Sequence, residues 1–223
     1  MCGRYTLKAP VKSLVDLFHL AEAPELPFRY NIAPTQQVPA VRSSGHNKST
    51  ELVMCRWGLI PSWAKDAKIG NQLINARSET VATKPAFRSA FRKRRCLMPA
   101  DGFYEWKKEG TKKQPFYIHL KDGGPFAFAA LWEEWHDEHG EPIQSCTILT
   151  AEANAMLKPL HDRMPVILSP ENFAKWLDPE IQQPEEIVPH LQPISAKELA
   201  MHPVSTLVNS PKNEKPECVE RVV

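Results

Sequence analysis

The chain opens MCGRYT, and removal of Met1, which a small second residue permits, would leave Cys2 with a free α-amine beside its thiol. Such an amine has a pKa near ~8, well below that of a lysine, so it attacks aldehydes near neutral pH. The adjacent thiol can then add to the imine and close a five-membered thiazolidine, a trap that neither group makes alone. An aldehyde is the substrate class to which this terminus points. A terminal cysteine also suits an N-terminal-nucleophile amide hydrolase, in which the amine is the base for its own thiol. The ordinary alternative is a chance cysteine near the start of a chain.

Five further stretches carry chemistry-bearing residues: RYNIAPTQ at 29–36, RWGLIPSWAK at 56–65, INARSET at 74–80, ADGFYEWKK at 100–108 and LHDRMPVIL at 160–168. With MCGRY in front, and in this order through VSTLVNSPKN at 204–213, the set resembles the SRAP family, the SOS-response-associated peptidase fold that senses abasic sites in single-stranded DNA. The resemblance covers nearly the whole chain. It implies a covalent thiazolidine between Cys2 and the ring-opened deoxyribose aldehyde of an abasic site, which shields the lesion from strand cleavage. Asn75 matches the family's active-site asparagine, whose neutral amide can hold the terminal amine or the opened sugar by hydrogen bonds. Glu105 matches the family's glutamate, a proton relay for imine formation and ring opening. His161 matches the histidine of LHDRMP, a general acid/base on the sugar that includes the proton abstraction of β-elimination. Taken alone, the asparagine reads as a turn residue, the glutamate as solvent-facing on an alternating strand, and the histidine as a buried hydrogen-bonding residue.

Single-stranded DNA containing an abasic site offers backbone charge and exposed neighbouring bases, so phosphate clamps and a stacking wedge are expected. Arg4, Arg77 and Arg163 each sit inside a family-matched motif and are the expected phosphate ligands. Trp63 is the expected wedge, with Ala64 where many relatives carry a second tryptophan. Trp57, Trp106 and Trp132 are assigned to the core. The basic run at 84–95 fits either a solvated amphipathic helix, with Phe87 and Phe91 facing inward, or a surface flanking the DNA. His136 and His139 lie in an acidic turn with no complementary pair at ligand spacing, so no metal is expected, and no cofactor is implied. Two rival readings stay open: a thiol autopeptidase or amidase using Cys2, and a non-covalent reader of unusual DNA that does not need it.

The elements that must position these residues read as mostly strand. ELVMCRWG, RCLMPA, FYEWKK, PFYIHL, PFAFAALW, QSCTILT, PVIL and VSTLV are short, apolar or alternating, and bounded by turn residues. KEGTKK at 108–113 and KDGG at 121–124 read as hairpins, which makes 96–150 an antiparallel meander. Helices are expected over 11–20, where Val11, Leu14, Val15 and Phe18 share a face, after Ser169-Pro170-Glu171, and from Ser195, where Glu198 completes a capping box. The fold class is α+β: one domain over 1–223, with a β barrel or sandwich core, a few flanking helices and a polar tail at 209–223 that either frays or packs as a cover.

Composition narrows the setting. The 28 basic and 26 acidic residues leave a net charge of +2, so any anion-binding surface is local. The base-rich 81–100 and acid-rich 133–141 are expected on different faces. Twenty-one prolines against nine glycines favour rigid loops and short elements. Five cysteines without a CxxC, no signal segment and no long apolar run point to a reduced intracellular protein with no membrane; if it is bacterial, the resemblance implies the cytoplasm, with nucleoid association when on DNA. Cys55, Cys96 and Cys146 are expected as buried fillers and Cys218 as exposed.

Overall fold

The computed structural model describes residues 2–45 and 49–222, with Glu109 by its backbone alone. Met1, on which the expectation of a processed terminus falls, lies outside the described residues. The strands are β1 (Tyr5–Leu7), β2 (Arg29–Ile32), β3 (Gln37–Ser43), β4 (Thr50–Trp57), β5 (Asn75–Arg77), β6 (Arg95–Ala100) and β7 (Gly102–Glu109). They continue as β8 (Lys112–Leu120), β9 (Phe126–His136), β10 (Pro142–Glu152), β11 (Arg163–Pro165), β12 (Ile167–Leu168) and β13 (Leu199–Pro203). Four α-helical segments flank them: α1 (Val11–Phe18), α2 (Arg88–Lys93), α3 (Phe173–Leu177) and α4 (Pro184–Ile187).

Five strands close on themselves in the order β10, β4, β3, β6, β9 and back to β10, with β10 and β4 parallel and the other pairs antiparallel. Closure removes the unpaired edges that an open sheet would leave. β5 and β11 attach to β10, and β12 to β9. The apolar run FAFAAL of β9 is buried throughout, as a strand covered on both faces must be. A second, five-stranded antiparallel sheet has the order β13, β8, β7, β1, β2. It packs on the barrel through Tyr5 and Phe103, whose rings meet Phe128 edge-on at 5.8 and 6.1 Å, while Tyr5 meets Trp57 at 5.4 Å. The α+β architecture with a β-barrel core is therefore as the sequence led us to expect, and the start of β1 lies at the seam of the two sheets.

Several local expectations are corrected. KDGG is not a hairpin: β8 belongs to the second sheet and β9 to the barrel, so the turn carries the chain between sheets and 96–150 is no continuous meander. The turn at Ser195 forms, with the Glu198 amide donating to the Ser195 carbonyl, but no helix follows. Residues 199–203 instead pair with β8, because pairing that edge satisfies their backbone and Pro203 stops any helix. Of VSTLV, only Val204 makes a bridge, to Arg221, and Thr206–Asn209 is a 3-10 turn capped by the Ser205 hydroxyl. The 209–223 segment packs as a cover: Glu214 accepts from Arg29 Nε and from the Tyr30 and Asn31 amides. Cys218 is fully buried with Tyr104, Tyr117, Val204 and Val208, contrary to the exposed tail cysteine expected. Cys55, Cys96 and Cys146 are also fully buried.

The basic run and the acid-rich stretch do not lie apart. β6 pairs with β9, which brings Arg94 onto Glu133 at 2.7 Å. Arg95 turns inward and donates to the carbonyls of Phe91 and Arg92 at the end of α2, and to those of Trp176, Asp178 and Ile181 around α3. Arg95→Met is expected to lower stability by about 3–5 kcal/mol, since it strips the buried carbonyls of their donor. A denaturant midpoint that does not move would show that these bonds contribute little.

Candidate active site

Cys2 precedes β1 and is held against β7, where the Tyr104 amide donates to the Arg4 carbonyl at 3.0 Å. Its side chain is fully buried. Burial, then the charge of Glu105, holds the thiol far above its ordinary value, so it is a thiol and not a thiolate at neutral pH. β5 reaches the same place from the barrel side, because it runs parallel to β10 with Asn75 opposite Ile148. Asn75 Nδ2 donates to the Cys2 carbonyl at 2.9 Å. Its Oδ1 is buried and has no hydrogen-bond partner among the described residues.

Glu105, on β7, is only 4% exposed. Burial is the main cause that pushes its carboxyl up to about 7, close to where a proton relay works best. His161 belongs to the loop between β10 and β11, which Asn154 folds by accepting the amides of Met156 and Leu157 on its Oδ1. The His161 amide then donates to the Leu157 carbonyl. Burial lowers the imidazole pKa, so the neutral ring dominates at neutral pH. Its Nδ1 lies 2.9 Å from the Arg163 amide and 2.8 Å from Asp162 Oδ1. Accepting from the amide leaves a proton on Nε2, and donating to the carboxylate leaves Nε2 as a base, so the ring is held at one nitrogen and works with the other. Glu105 and His161 line one cavity of about 380 Å³ with Trp106, Lys113 and Asn209.

The four residues expected to do chemistry thus come from four separate segments. Cys2, Asn75 and Glu105 converge directly, and His161 shares the cavity of Glu105. The expected DNA ligands divide differently. Arg77 is exposed on β5, and Trp63 is 59% exposed. The turn that presents Trp63 is pinned by Trp135, whose indole donates to the Ala64 carbonyl at 2.7 Å. Behind it Gly58 and Gly70 touch backbone to backbone; a Cβ on Gly58 would lie 2.4 Å from the Gly70 carbonyl oxygen.

Arg4 and Arg163 have their guanidinium groups engaged within the protein. Arg4 donates to Asn31 Oδ1 and to the carbonyls of Val208 and Asn209. Arg163 forks onto the Glu79 carboxylate at 2.7 and 2.8 Å and reaches the Thr150 carbonyl. Of the three tryptophans assigned to the core, Trp57 is fully buried; Trp106 and Trp132 are half-buried. Sequence reasoning gave no role to Asn31, Glu79, Trp135, Lys113 or Asn209. Asn31, Glu79 and Asn209 stand inside three of the family-matched stretches, and that position was the available signal.

Among the described residues no group of three or more His, Cys, Asp and Glu side chains is placed to hold a metal, and no helix is long and apolar enough to cross a membrane. The chain is 45% identical over 224 residues to abasic site processing protein YoqW of Bacillus subtilis, with 99% of each chain covered. It is 34% identical over 229 residues to abasic site processing protein YedK of Escherichia coli, with 100% of each covered. An X-ray structure of a protein from Bacteroides thetaiotaomicron matches it with a TM-score of 0.90 at 28% identity over all of both chains. The family model of SOS response associated peptidase matches residues 1–211, and the chain belongs to that family, SRAP.

Proposed function

We propose that this chain processes abasic sites, the activity for which YoqW and YedK are named, by covalent capture on Cys2 in single-stranded DNA. The observation that carries the reading is the pairing at Asn75: its amide holds the Cys2 carbonyl, and its buried Oδ1 has no donor among the described residues. A free α-amine on the same Cys2 supplies N–H groups for such an acceptor.

Once Met1 is removed, the neutral amine attacks the aldehyde carbon of the ring-opened deoxyribose to give a carbinolamine. Glu105, protonated, delivers a proton to the departing hydroxyl, and water leaves as the imine forms. The Cys2 sulfur then bonds to the imine carbon, and the thiol proton passes by way of Glu105 to the nitrogen, which closes the thiazolidine. No oxidant is required. His161, in the tautomer whose Nδ1–H donates to Asp162, takes on Nε2 the proton α to the imine when the course turns to β-elimination. Trp63 stacks on a flanking base and Arg77 meets the backbone, while Arg4 and Arg163 act by holding the 204–213 segment and the 160–168 loop in place.

The test mixes the processed chain with a single-stranded oligonucleotide carrying one abasic site and runs the products on a denaturing gel beside Cys2→Ala. A denaturation-resistant band that needs Cys2 is expected. A band of equal strength with Cys2→Ala would sink the reading, as would no band from a chain verified to lack Met1.

A further inference from the structure

Lys113 and Asn209 line the cavity of Glu105 and His161, and the steps above use neither. Lys113 stands on β8 opposite Lys108, is exposed, and makes no ion pair among the described residues. It is the one cation among the five residues that line the cavity. Two arginines nearby, Arg4 and Arg163, are spent on protein acceptors.

The orientation of Asn209 follows from its neighbour. Trp106 Nε1 lies 2.8 Å from the Asn209 side chain, and an indole N–H only donates, so the atom it meets is Oδ1. The Asn209 main-chain oxygen is taken by Arg4 Nη2 at 3.2 Å. What Asn209 has left is its Nδ2, which has no hydrogen bond among the described residues. The segment bearing it is fixed, because buried Asn31 donates to the carbonyls of Val208, Ser210 and Asn213. The cavity therefore has an acid and a base beside two groups that only donate, an ammonium and an amide NH₂.

We infer that Lys113 and Asn209 form an anion subsite that holds the phosphodiester next to the captured sugar. The inference rests on the abasic-site reading above. A phosphodiester is a monoanion with two free oxygens, so one ammonium and one amide suffice to hold it. The covalent bond at Cys2 fixes the sugar at one point only. A second hold on the adjoining phosphate sets the sugar's rotation, and with it which carbon faces Glu105 and which faces His161.

The test uses Lys113→Gln and Asn209→Asp. The second keeps an acceptor for Trp106 but turns a carboxylate toward the phosphate, so a purely structural asparagine would tolerate it. Non-covalent affinity for the abasic single strand is read by fluorescence anisotropy in a Cys2→Ala background, and crosslinking in the otherwise unaltered chain. Lys113→Gln is expected to weaken binding about 5-fold or more and to reduce the salt slope by about 0.7, the value for one lost phosphate contact on a single strand. Asn209→Asp is expected to weaken binding about 10-fold or more with an unchanged thermal midpoint. Wild-type affinity and salt slope in both variants would overturn the subsite. If both variants lose affinity while the unaltered chain forms no Cys2-dependent band, the subsite stands as a DNA contact and it is the capture reading that fails.

Discussion

One extra residue ahead of Cys2 is expected to abolish the denaturation-resistant product, a loss of at least about 10³-fold. Acylation turns the α-amine into an amide, whose nitrogen lone pair is delocalised into the carbonyl and cannot attack an aldehyde. The thiol remains but by itself yields only a reversible hemithioacetal. Cys2→Ser separates the two halves of the chemistry. The serine amine still forms the imine, but its hydroxyl makes no lasting ring, so the product survives denaturation only when a borohydride reduces the C–N double bond. Reductant-dependent trapping by the serine variant, beside no stable product from the extended chain without reductant, would establish amine first and thiol second. An extended chain that crosslinks like the processed one would end the aminothiol mechanism.

The sequence spoke most clearly where a residue's neighbours in the chain decide its fate. Strand periodicity located nearly every barrel strand, because burial on one or both faces writes itself into consecutive residues. It failed where the partner is remote. KDGG has the composition of a tight reversal, and nothing within those four residues says that the strands on either side belong to different sheets. VSTLV is apolar enough for a strand, yet it caps the small core around Tyr104 and Tyr117, and Ser205 starts a 3-10 turn there. The roles of the arginines were the least legible. Arg4 and Arg77 stand in motifs of equal apparent weight, but the first turns inward to Asn31 and the second is exposed, and only the packing of 204–213 decides that.

The same packing explains why the site could be listed by residue type but not assembled from sequence. Cys2 and Glu105 meet because β1 and β7 are neighbours, with Tyr5 opposite Phe103. Asn75 joins them only because β5 lies on β10 and the sheet leans on the barrel through Tyr5, Phe103 and Phe128. A seam between two sheets buries a carboxyl and a thiol together, and that burial raises the pKa of both.

Glu105→Gln is expected to slow crosslink formation by about 10²-fold or more, and the pH profile identifies the cause. Attack needs a neutral amine, with a pKa near ~8, and loss of water needs a protonated Glu105, at about 7. The wild-type rate should therefore rise with pH as the amine loses its proton and fall as Glu105 ionises, a bell with its maximum between the two values. The glutamine variant loses the falling limb, so its slower rate should rise and level off above pH ~8. Stability should move the opposite way. The folded carboxyl, raised from 4.5 to about 7, holds a proton that the unfolded chain has released. Stability is thus greatest below the lower value and declines as pH climbs to the upper one. At about 1.4 kcal/mol per pH unit, the ionised carboxylate costs the fold about 3 kcal/mol above neutrality, a cost the amide does not carry. The variant should be slower yet harder to unfold at pH 8, with the two proteins converging near pH 4. Equal rates would show that the buried carboxyl is not the group that moves the proton, and a glutamine variant no more stable at pH 8 would show that burial does not hold that carboxyl near 7.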